Sequence, residues 1–176
     1  MGLRPGKTTR TLKRAYTRVS KVKPRKSFVV GVPFARIHIF EMGNKNKKYD
    51  LNMTLISERS VQIRDNALES ARIVGNKHLE KILGPENYFM KVLVFPHQIL
   101  REHSMASGAG ADRFSSGMSH SFGKPSGRAV RIKRGQGIFM LKINKKDLMV
   151  ARKAFKRLTL KLPTPCYVKE EAISTL

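Results

Sequence analysis

The side chains best suited to chemistry in this chain are three histidines, His97, His103 and His120, with the carboxylates of Glu102 and Asp112 close by in sequence. Imidazole beside carboxylate is the material of acid–base catalysis or of a metal site. The spacing supports neither: it matches no metal-ligand pattern, and no paired-carboxylate helix, nucleophile elbow or second cysteine accompanies it. Phosphate-loop readings fail as well. Gly2 to Thr8, GLRPGKT, has three residues between its glycines where a P-loop has four, and no strand precedes it. After Gly123 and Lys124 comes Pro125 instead of the hydroxyl residue that would hold magnesium, and GAGAD (108–112) lacks the strand-to-helix setting of a dinucleotide site. The expectation is a protein that binds rather than catalyses, with no cofactor and no metal.

Charge says what it binds. Thirty-six Lys and Arg against twelve Asp and Glu give a net charge of +24 over 176 residues. A domain with that field repels itself and is best neutralised by nucleic acid phosphate. A membrane surface fits less well, because the basic residues do not line one face of a long amphipathic helix, and no apolar stretch is long enough to span a bilayer. The basic N-terminus is not followed by the apolar block of a signal peptide, and the lone Cys166 permits no internal disulfide.

The elements that would carry this charge follow from periodicity. Residues 1–27 hold ten Lys and Arg and no acid, and read as a basic extension that orders on nucleic acid, with Tyr16 a candidate for base stacking. Residues 28–169 read as one domain, and 170–176 as a frayed acidic tail. Within the domain, 28–41 alternates as a strand, with His38 a structural sheet-face residue, LNMTLIS (51–57) and VQIR (61–64) follow, and NYFMKVLVF (87–95) is the candidate central strand. A helix is predicted from Asp65 and Asn66, with Glu69 completing a capping-type start, to Gly84 and Pro85. Its inner stripe is Ala67, Leu68, Ala71, Val74, Leu79 and Ile82, leaving Arg64, Arg72, Lys77 and Lys81 on the outer side or at its edges. A second helix, from Asn144, turns Leu148, Ala151, Phe155 and Leu158 inward and presents Lys145, Lys146, Arg152, Lys153, Lys156 and Arg157 to phosphate. GRAVRIK and GIFMLKI read as a hairpin about RGQG (134–137). The fold class is α+β: a two-layer sandwich of two helices on a mixed, mostly antiparallel sheet.

One stretch stands apart. Between Glu102 and Phe122 almost no apolar run is available to order the backbone, so a long flexible loop, 102–122, is predicted, leading into Lys124, Arg128, Arg131, Lys133 and Arg134. With no recognition-helix pair, zinc finger or basic zipper, and with charge spread over tail, loop and helix, folded RNA suits the chain better than sequence-specific DNA.

Five blocks then resemble a known family: VQIRDNALESARIVGNKHL, GPENYFMKVLVFPHQILRE, MASGAGADRFSSGM, FGKPSGRAVRIKRGQGIF and KLPTPC. They look like successive pieces of the archaeal and eukaryotic large-subunit ribosomal protein L ten e, counterpart of bacterial L sixteen. The resemblance runs from Gly31 to Cys166, and departs at Ser119, where the family has a basic residue. It implies a structural rRNA-binding protein of the cytoplasmic ribosome, near the A-site and P-site tRNAs, with neighbouring ribosomal proteins as partners and no homo-oligomer. It further implies rRNA contacts at Arg4, Lys7, Arg10, Lys13, Arg14, Arg18, Lys21, Lys23, Arg25, Lys26, Lys124, Arg128, Arg131, Lys133 and Arg134. The loop would reach toward the peptidyl-transferase centre, with Arg101, His103, Met105 and Arg113 nearest tRNA. The competing reading is a free RNA-binding or RNA-processing factor using His103 or His120.

Overall fold

The computed structural model describes residues 3–12, 22, 23, 25, 29, 31–106, 108–119 and 121–173. In chain order its regular elements are β1 (Glu41–Gly43), β2 (Leu51–Ser57), β3 (Val61–Arg64), α1 (Asp65–Leu83), β4 (Phe89–Val92), β5 (Gln98–Glu102), β6 (Lys124–Ile132), β7 (Gly137–Ile143), α2 (Leu148–Thr159) and β8 (Cys166–Ala172). The class is α+β, as expected, but the strands form two sheets instead of one. Five strands run in the order β1-β4-β7-β2-β8 and three in the order β3-β6-β5. Among the described residues every pairing is antiparallel, so neither sheet is mixed.

The strand after the great loop corrects the expected hairpin. β6 pairs with β3 and β5, whereas β7 pairs with β2 and β4, so the turn between them crosses from one sheet to the other. Gly135 takes φ +81° there. Its N–H donates to the Ser57 carbonyl at 2.9 Å, and the Ser57 N–H donates to the Gln136 carbonyl at 3.1 Å, which ties the crossing to the end of β2. The hairpin expectation failed because a glycine turn between two apolar strands looks the same locally whether or not the strands pair with each other.

β7 occupies the centre of the larger sheet, with Phe139, Leu141 and Ile143 buried, while β4, from the run expected to be central, lies between β1 and β7. Residues 31–40 form no strand. Ala35 and Ile37 are buried, but the alternation breaks at Ile39, which is half exposed, and only Glu41–Gly43 enters a ladder. Glu170 and Glu171, expected in a frayed tail, are paired in a strand. Glu170 and Glu171 lie in β8 opposite Met53 and Asn52, and Arg152 of α2 grips Glu170 with two hydrogen bonds of 2.9 and 3.1 Å.

Both helices start close to where predicted, with differences in detail. At α1 no side chain caps the first turn through Asn66. Instead the Asp65 carboxylate accepts the Asn66 N–H at 2.8 Å and the Arg36 N–H at 3.1 Å, stitching the incoming segment to the helix start. Arg72 is buried rather than outward, because its guanidinium meets the Glu69 carboxylate at 2.5 and 2.9 Å one turn away and lies on Met42. Ile82, expected inside, is half exposed. The two helices meet where Gly75 faces Leu158: a Cβ at Gly75 would lie 2.8 Å from a Leu158 methyl, so α1 can seat against α2 only with glycine there.

His78 is buried in the same helix, and its Nε2 meets no hydrogen-bond partner among the described residues. Burial, reinforced by the nearby charges of Arg157 and Lys153 on α2, lowers its pKa below the ordinary 6.5. The folded chain therefore keeps this ring neutral at a pH where the unfolded chain already takes up a proton. Stability is full above the ordinary value and declines as pH falls below it toward the depressed folded value. We expect the melting temperature to drop between pH 7.5 and pH 5.5, and the drop to be smaller in His78→Leu, measured by thermal denaturation across that range. An identical drop in the variant would exclude His78 as its source.

Candidate nucleic-acid interface

Six cations gather where the three-stranded sheet meets the segment laid beside it. Residues 3–12 of the extension do not wait for an outside partner. The Arg10 carbonyl accepts the Gln62 N–H at 2.9 Å, the Gln62 side chain donates to the Thr9 carbonyl at 2.9 Å, and Arg64 Nε donates to Thr9 Oγ1 at 3.0 Å. This strap lies along β3, whose β6 side is already paired. Arg64 also donates to the Arg4 carbonyl, and Arg4 in turn forms an ion pair with Glu102 at 2.6 Å. The strap is thereby fastened to Glu102, the last residue of β5 and the first of the predicted loop.

Between strap, β5 and β6 lies a groove of 730 Å³, lined by Arg4, Arg36, Arg64, Arg101, Lys124 and Arg128 against the carboxylates of Asp65 and Glu102. Six cations facing two carboxylates, one of them buried, leave the groove positive. Arg128 is held by its Nε–H donating to the Pro33 carbonyl at 2.6 Å. Arg131 stands opposite Gln62 and Arg128 opposite Ile99, which puts the two arginines on opposite faces of the sheet, as their odd spacing requires. Lys133 and Arg134 are exposed in the crossing turn, away from the groove. The expected basic cluster is thus split between several surfaces. Lys7, Lys23 and Arg25 are exposed; Lys13, Arg14, Arg18, Lys21 and Lys26, like Tyr16 and His120, lie outside the described residues.

The loop leaves and returns through a narrow foot. Gly123 adopts φ +83°, and a Cβ on it would sit 2.6 Å from the Glu102 carbonyl carbon, so both ends of the loop pass each other only where no side chain intervenes. Arg101 donates to the Gly123 carbonyl at 2.7 Å and stacks its guanidinium on Phe122 at 4.5 Å. His103 Nε2 lies 2.8 Å from the Gly117 carbonyl. Beyond this foot a short 3-10 turn, Ala111–Arg113, carries Arg113, and Met105, Phe114 and Met118 are exposed. Of the predicted loop residues, Arg101 and His103 brace the foot while Met105 and Arg113 project from it.

Among the described residues the candidate histidines do not come together. His97 packs against the Phe95 ring at 4.6 Å, far from the role His103 has at the foot. The N–H groups of Thr8 and Thr9 turn inward to the Pro5 and Gly6 carbonyls, so GLRPGKT cradles no phosphate. Burial pushes the Cys166 thiol up to about 11, which keeps it protonated and unreactive at neutral pH. Sequence reasoning missed Arg36 and Arg64 as groove residues and Glu102 as the clasp, because each owes its position to a partner at least 29 residues distant.

Fold and groove together define a basic α+β binding scaffold. The family whose model matches residues 15–169 is ribosomal protein L16p/L10e. The chain is 43% identical over 171 residues to the large ribosomal subunit protein uL16 of Archaeoglobus fulgidus, covering 97% of this chain and 94% of that protein. Similar figures hold for the proteins of the same name from Picrophilus torridus, 43% identical over 88% of this chain and 89% of the relative, and Methanococcus maripaludis, 42% over 96% and 94%. The chain belongs to the L16p/L10e family of ribosomal proteins, and its role is that of a structural, non-enzymatic component of the large subunit.

Proposed function

We propose that this protein binds large-subunit rRNA near the A-site and P-site tRNAs, using the basic extension 1–27, the groove at the loop foot and the crossing turn, and that loop 102–122 is directed toward the peptidyl-transferase centre. One observation carries the reading: six cations line a groove at the base of a braced loop whose outer residues, Met105, Arg113 and Phe114, are exposed. Phosphate in the groove would set the protein's position on the RNA, and the loop would extend from that fixed point. Because the cations occupy several faces, backbone contact from several sides of a folded RNA suits them better than one strand in one cleft.

Salt titration of rRNA binding tests this. Lys133→Gln with Arg134→Gln should lower the slope of log affinity against log salt by up to about one per lost phosphate contact. An unchanged slope would remove the crossing turn from the interface. In cell extracts the protein should sediment with large subunits and survive a moderate salt wash; a soluble pool with turnover on RNA would overturn the assignment.

A further inference from the structure

Among the described residues outside the loop, one aromatic ring stands almost wholly in solvent. Phe34 is 89% exposed, more than Phe114 at 74% or Phe122 at 61%, although those two belong to the loop and Phe34 does not. A phenyl ring left in water on an ordered segment is an unfavourable placement unless something covers it. Its backbone is held on both sides. Before it, the Pro33 carbonyl accepts from Arg128 at 2.6 Å; after it, the Arg36 N–H donates to Asp65 at 3.1 Å. Ala35 and Ile37 point into the core, so Phe34, Arg36 and His38 are turned outward. Arg36 and Arg128 both line the cationic groove; Phe34 is two residues from the first and follows the Pro33 carbonyl that the second holds.

We propose that Phe34 is a stacking platform for an unpaired RNA base, with Arg36 beside it for the adjoining phosphate. This deepens the rRNA-binding reading and rests on it. An apolar protein partner would call for a contiguous apolar patch with charge depleted at its centre, whereas the next outward-turned residues along this segment are Arg36 and His38. That combination of π-face and cation is the recognition chemistry of single-stranded nucleic acid. The ring's backbone is already fixed, so stacking requires little further ordering.

The chain contains no tryptophan, so Phe34→Trp introduces a sole indole whose emission reports stacking directly. Titrating that variant with a single-stranded oligoadenylate should quench the emission to saturation, and a fully paired RNA duplex of equal length should quench it far less. In the otherwise unaltered protein, Phe34→Ala and Phe34→Leu should both weaken oligoadenylate binding by roughly 5- to 150-fold, with the salt slope unchanged because no charge is removed. Leucine keeps apolar area but offers no π-face. Wild-type affinity in Phe34→Leu, or an indole indifferent to oligoadenylate while rRNA still binds, would overturn the stacking proposal and leave rRNA binding standing. Failure of the unaltered protein to bind either rRNA or oligoadenylate would instead defeat the reading on which it rests.

Discussion

Replacing residues 104–116 by two glycines is expected to leave folding and incorporation into large subunits intact while lowering peptide synthesis by roughly ten- to a hundredfold, the scale that lost positioning near reacting groups produces. The geometry of the foot supports the first half. His103 and Gly117, which flank the excised segment, are joined by a 2.8 Å contact, so a short linker can bridge them. Arg101, Phe122 and Gly123 lie outside the deletion and keep their mutual contacts. Among the described residues between 104 and 116 no side chain belongs to the hydrophobic core, and Met105 and Phe114 are exposed. Shortening such a loop changes closure entropy only slightly. The second half rests on the proposed destination of the loop. Subunits carrying the variant, compared with wild type in translation and in tRNA binding, decide it: wild-type synthesis would mean the loop serves elsewhere, and a chain that fails to fold would make the loop part of the core.

Phe139→Ala is the second large effect expected, a loss of about 3–5 kcal/mol of stability. Phe139 lies in β7, the middle strand of the five-stranded sheet, with no exposed surface, opposite Leu55 on one side and Val92 on the other. Removing the ring leaves a cavity that two flanking strands and a helix layer cannot collapse to fill. Against the 5–15 kcal/mol typical of a domain, this is a large fraction of total stability. Denaturant unfolding should show a lower midpoint with a similar slope. A cost below about 1 kcal/mol would show that the sheet centre repacks freely and that β7 is not its mainstay.

These two expectations mark how far local sequence reaches. Leu51, Met53 and Leu55 alternate and Leu68, Ala71 and Leu79 recur at helical spacing, so β2 and α1 were legible, as was the inward face of α2. The described residues between 103 and 123 form no strand or α-helix, in keeping with the absence of an apolar run there, while Glu102 belongs to β5. Arg72 was misread because a charged residue at the stripe's edge goes outward unless a neighbour such as Glu69 follows it inward, and periodicity does not show that partnership. The run 28–41 was misread because alternation of Ala35 and Ile37 looks like a strand even when no partner strand extends beside it.

By itself the sequence determined the kind of partner and the kind of elements. A charge of +24 calls for a polyanion, and side-chain periodicity selects helix or strand, because both depend on composition and near neighbours alone. Only the tertiary structure decided which strands share a sheet, that β6 and β7 part company, that Arg4 closes on Glu102, and that Arg128 and Arg131 face opposite ways. Those outcomes depend on pairings between residues far apart in the chain. Strand pairing is set by packing against cross-strand neighbours rather than by any local preference, so only the assembled fold could choose among the alternatives.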